Sequence, residues 1–72
     1  MMRRATDIKD DELRAFCERF KERFHTTRTR AEWFLTSLEG HTHVPVRDLR
    51  DLLRRMERLN LVSASLKFIV IR

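Results

Sequence analysis

Apolar residues recur through the first third of the chain at Leu13, Phe16, Cys17, Phe20 and Phe24. Those offsets put all five on one face of a helix, so the spacing predicts a helix over about residues 9–25. Asp7, Asp10, Asp11 and Glu12 lie where that helix begins, which suits its N-terminal dipole. The other face carries Arg14, Glu18, Arg19, Lys21, Glu22 and Arg23, with opposite charges three or four residues apart, as on a solvated helix surface. Phenylalanines at helical spacing read as core, so this helix reads as scaffold.

Thr29-Arg30-Ala31-Glu32 matches the capping box, in which Thr and Glu satisfy each other's free backbone donors. A second helix is predicted over about residues 30–39, with Ala31, Phe34, Leu35 and Leu38 inward and Gly40 placed to end it in the left-handed conformation. Trp33 falls about 160° from the centre of that inner face. Either Trp33 is an exposed contact residue, or the helix is buried on two sides.

The segment from Gly40 to Val44 reads as a connector, extended at Val44 because that residue precedes Pro45. Val46, Leu49, Leu52, Leu53, Met56 and Leu59 then define a third helix over about residues 45–59, with Pro45 in its first turn and Asn60 able to end it. Beyond it, strands are predicted over about residues 61–63 and 66–71, supported by the β-branched cluster near the end. Apolar residues occupy both faces of residues 68–71, so this strand must be covered on both sides or add itself to a neighbouring chain. Pairing with Leu61 and Val62, or with Val44, is expected, together with a role in dimerisation. The fold class is mostly α: a three-helix domain with a short C-terminal β-hairpin or strand.

Size limits what such a chain can do. Its 72 residues, 42% of them hydrophobic, form a single domain at most. No disulfide pair is available, so stability must come from tight helix packing or from a second copy of the chain, which makes a homodimer an expectation. The lone Cys17 has phenylalanines as its helical neighbours and reads as a small core residue in a reducing compartment. Met1-Met2-Arg3-Arg4 resembles the charged start of an export signal, but no apolar stretch follows. No run approaches the roughly 18 apolar residues of a membrane span. A cytoplasmic location with no membrane partner follows as the expectation.

The formal net charge of +5 is uneven. Residues 45–72 hold seven bases against three acids, whereas residues 1–28 hold eight against six. Thirteen of the sixteen basic residues are Arg, the residue suited to bidentate recognition of phosphate or carboxylate. Arg richness also follows from GC-rich coding, so the placement of the arginines carries more weight than their number. Arg47, Arg50, Arg54 and Arg58 fall within about 80° of arc opposite the apolar face of the third helix, with Arg55 alongside. Such a projecting row can reach phosphate oxygens or the O6 and N7 edge of guanine. Asp48, Asp51 and Glu57 dilute it, and Arg47–Asp51, Asp51–Arg55 and Arg54–Glu57 are possible surface ion pairs.

Other chemistry finds little support. His25, His41, His43 and Cys17 are ligand types for zinc, but no zinc-site spacing organises them, so no metal is expected. No nucleophile, base and acid are grouped, no glycine-rich phosphate loop occurs, and Gly40 is the only glycine. No enzyme, cofactor or small-molecule substrate is expected.

Residues 29–72 resemble a winged-helix or helix-turn-helix DNA-binding module: a capped helix, a short extended link at residues 42–44, a helix, then a hairpin in the place of a wing. The chain departs from the winged-helix pattern in offering one helix between Val44 and Leu61 where that pattern has two. The resemblance implies that Arg47 and Arg50 contact bases or phosphate. The expectation is a small non-enzymatic DNA-binding regulatory protein that contacts nucleic acid through Arg47, Arg50, Arg54, Arg58 and Arg55. The alternative is a protein-interaction module, an adaptor or inhibitor, that docks a partner through the same arginines, Trp33, or Phe68 and Val70 of the last strand. RNA ranks below DNA because no RNA-binding signature is present.

Overall fold

A computed structural model describes residues 3–72; Met1 and Met2 of the charged start lie outside the described residues. A short 3-10 turn, Ala5–Asp7, precedes helix α1, Asp10–Phe24, whose span and buried residues Leu13, Phe16, Cys17 and Phe20 follow the apolar periodicity. Three acids occupy its first turn, and His25 ends it in the left-handed region with φ 51°.

Next comes strand β1, Arg28–Arg30, where the sequence pattern points to a helix cap. Thr29 is buried in this strand opposite Ile69, and the capping box does not form: helix α2, Ala31–Thr42, starts from Arg30 without a side-chain cap. Three residues are too few to show strand alternation, and β1 exists only because a distant partner supplies its hydrogen bonds. Ile71 N donates to Thr27 O at 2.6 Å and Ala31 N to Lys67 O at 2.8 Å, bracketing the pairing.

Helix α2 also runs through Gly40. The left-handed residue that ends it is His43, φ 59°, and its last residue, Thr42, is fully buried with Oγ1 donating to Leu38 O at 2.7 Å. Burial of Leu38 and Thr42 holds the extra turn in place, which outweighs the local preference of Gly40 for a helix end. The expected connector therefore shrinks to three residues, His43, Val44 and Pro45. Helix α3, Val46–Arg58, keeps its expected place, burying Leu49, Leu52 and Met56, and Asn60 follows it with φ 59°.

The chain closes with a hairpin of β2, Val62–Ala64, and β3, Phe68–Ile71, in an antiparallel sheet of order β1-β3-β2. Within that sheet β3 is the central strand, hydrogen-bonded to a strand on each side. It has no free edge for a neighbouring chain, so the expected dimerisation by addition to this strand is corrected. The inward row of the sheet, Thr29, Val62, Ile69 and Ile71, meets Phe34, Leu38, Leu52 and Met56 in one core, which Ile8 and Val44 complete. The helix and strand content makes this a mostly α, three-helix domain with a C-terminal hairpin. Two helices, α2 and α3, lie between the extended segment and the hairpin, because that segment is β1 and not residues 42–44.

Candidate nucleic-acid interface

The third helix separates its charges cleanly. Leu49, Leu52 and Met56 are buried, whereas Arg47, Arg50, Arg54 and Arg58 all lie exposed on the opposite side. None of these four joins an ion pair among the described residues, and the surface pairs expected with Asp51 and Glu57 do not form; the pairs present involve Arg3, Arg4, Lys21, His41 and Arg55. Four guanidiniums thus project along a stretch of helix about 16 Å long at 1.5 Å per residue. Asp51 and Glu57 remain exposed beside them. Val46, at the start of the same helix, is 70% exposed.

Arg55 leaves the row. Its guanidinium turns to the N-terminal segment and donates to Ile8 O and, at 3.4 Å, to Ala5 O. Its Nε lies 3.2 Å from Asp10 Oδ1, an ion pair without hydrogen-bond geometry. Neighbouring Asp48 has a matching role: it is buried, accepts from Ala5 N at 3.0 Å and lies 3.6 Å from Arg4 Nε. Helix α3 therefore has one flank that fastens residues 4–10 and one face that is free. Angular spacing alone places Arg55 alongside the row, and only the docked N-terminal segment distinguishes it from the other four.

The remaining contact candidates are dispersed. Trp33 is 47% exposed, which agrees with the reading of an exposed residue and corrects burial of the helix on two sides; its ring meets Phe24 edge-on at 4.5 Å and Phe20 at 5.7 Å. Val70 is 41% exposed on the outer sheet face, and Phe68 lies partly buried there under the guanidinium of Arg28 at 4.2 Å. The arginines of β1 escape sequence reasoning because the strand that turns them outward is itself invisible to it.

His25 and His43 occupy the left-handed ends of two different helices, and His41 lies 3.9 Å from Glu12. Among the described residues no three His, Cys, Asp or Glu are grouped as for a metal ion. Cys17 is buried, and burial pushes its thiol up to about 11 against the weaker opposing effect of Lys21. No helix among the described residues is long and apolar enough to cross a membrane.

One feature without a sequence signal is an open groove of about 700 Å³ between α1 and α2, floored by Phe16, Phe20 and Phe24 and bordered by Arg19 and Arg23. No protein-family model matches the chain, and no curated protein or solved structure is significantly similar to it.

Proposed function

We propose that this chain is a small, non-enzymatic DNA-binding regulatory protein that reads or tracks duplex DNA with α3. The observation that carries the proposal is the row of Arg47, Arg50, Arg54 and Arg58, exposed together and without ion-pair partners among the described residues. Arginines that stabilised the fold would be paired, as Arg3 and Arg55 are. Keeping four like charges on one face is unfavourable by itself and becomes favourable against a polyanion, where bound counterions are released.

The element order supports the same reading. With β1 as the extended link, the chain has the two helices before the hairpin that the winged-helix pattern requires. α3 then stands as the reader, with Arg47 and Arg50 at its N-terminal end for phosphate or guanine contacts. Exposed Val46 adds an apolar surface of the kind that meets a thymine methyl group. A dimer on DNA is part of the proposal, formed through a face other than the β3 edge.

The test is fluorescence anisotropy of labelled random duplex DNA over a salt series. Four phosphate contacts predict a log–log slope of about −3 to −4, and the Arg47→Ala/Arg50→Ala variant should flatten it by about 2 while keeping its helical spectrum. Absence of binding at about 50 mM salt, where counterion release is most favourable, would remove the proposal.

A further inference from the structure

The outer face of the sheet is a second cationic surface. Strand alternation turns Arg28 and Arg30 of β1, Ser63 of β2, and Phe68 and Val70 of β3 away from the core, and no acid stands among them. The register sets Arg28 beside Val70, which has Ser63 on its other side, and Arg30 beside Phe68. Lys67 lines a hollow with Arg30 and Phe68, where Glu32 is the one acid. Arg28, Arg30 and Lys67 are exposed and outside every ion pair of the described residues.

This surface differs from the arginine row of α3 in place and in character. Val62, Ile69 and Ile71 of the sheet share one core with Leu52 and Met56 of α3, so the two cationic surfaces lie on different sides of that core. On the sheet the cations are also mixed with planar and apolar groups. Phe68 is no free platform, because the Arg28 guanidinium covers its ring at 4.2 Å. The ring instead holds Arg28 across the sheet by cation–π attraction, and the planar guanidinium keeps a side open to solvent. Val70, 41% exposed, adds apolar surface next to it.

We propose that the outer sheet face binds single-stranded nucleic acid, with a base stacked on Arg28 and covering Val70 while phosphates meet Arg30 and Lys67. Charge selects a polyanion, and the mixture of groups selects an unpaired strand. Guanidinium planes take splayed bases, and neighbouring cations take phosphates of the same strand. A duplex keeps its bases stacked inside and would offer this face phosphates alone, leaving Val70 unused. An anionic membrane calls for a broad apolar face, whereas Val70 and Leu66 are the only exposed large apolar residues of the hairpin. Single-stranded DNA and RNA share the required chemistry. The proposal is independent of the α3 reading.

The experiment titrates the full chain, by fluorescence anisotropy, with labelled oligothymidylate and oligouridylate of about ten nucleotides, an abasic strand of equal length, and duplex DNA. Oligothymidylate should bind about tenfold tighter than the abasic strand, which keeps the phosphates and lacks the bases. Arg28→Gln/Arg30→Gln should weaken single-strand binding about tenfold and flatten its log–log salt slope by about 1.4, with duplex affinity changed by less than about twofold. Arg47→Ala/Arg50→Ala should weaken the duplex more than the single strand. The tighter of the two oligonucleotides identifies the strand as DNA or RNA, and either supports the proposal. Equal affinity for the abasic strand, full single-strand affinity in the folded Gln variant, or an equal loss on the duplex overturns it. Loss of duplex binding alone would remove the α3 reading and leave this one standing. Should the Gln variant not fold, Lys67→Glu decides, because Lys67 is an exposed turn residue. It should weaken the single strand about fivefold, and unchanged affinity overturns the proposal.

Discussion

The guanidinium of Arg55, on the third helix, donates to the main-chain carbonyl of Ile8, a residue only 2% exposed at the edge of the core. With the bond to Ala5 O and the pair to Asp10, this one side chain joins α3 to the turn before α1. Its removal leaves the Ile8 carbonyl without a donor, whereas Ala5 O keeps the bond from Ile8 N. Arg55→Ala is therefore expected to lose about 1–3 kcal/mol of stability in urea unfolding. Arg58→Ala, three residues along the same helix but unpaired, should stay within about 0.5 kcal/mol. Equal losses in the two variants would mean that the row is structural as well.

Thr29 gives the opposite case. Its Oγ1 is buried in β1 with no hydrogen-bond partner among the described residues. Thr29→Val keeps the β-branched shape that suits a strand and removes the unsatisfied hydroxyl, so stability should rise by up to about 1 kcal/mol. A lower melting temperature in the variant would show that the hydroxyl is satisfied in solution.

Acid should unfasten the N-terminal segment. The Arg3 guanidinium donates to both oxygens of Glu12, at 2.9 and 2.7 Å, and holds this carboxyl below its ordinary value of 4.5. A lowered folded-state pKa means that ionised Glu12 adds stability above about 4.5, lost as pH falls through that value towards the folded one. Melting temperatures taken between about pH 6 and pH 3 should fall more steeply for the wild type than for Glu12→Gln. Parallel curves would remove the Arg3–Glu12 pair from the acid response.

Cys17 should be inert while the protein is folded. Burial pushes its thiol up to about 11, so almost no thiolate is present at neutral pH. A thiol-reactive disulfide reagent at pH 8 should modify it only at the rate of unfolding, and rapidly in denaturant. Rapid modification of the folded chain would place the thiol at the surface.

The two helices with strong apolar periodicity, α1 and α3, are legible in the chain itself, because each buries one stripe and that stripe repeats within a few residues. The same local logic yields the hairpin and the exposed row of Arg47, Arg50, Arg54 and Arg58. β1 is different. Its three residues carry no pattern of their own and become a strand only when β3, forty residues away in sequence, arrives to pair Thr29 with Ile69. The extent of α2 is likewise settled by burial of Leu38 and Thr42, against the local preferences of Thr29 and Gly40. Arg55 and Arg58 look alike in one dimension, yet one is fixed beneath the N-terminal segment and the other is free. Periodicity reports which face of an element is apolar, a property of neighbouring residues. Which partner covers that face, and which charges are consumed in holding it, depends on contacts between residues far apart in the chain.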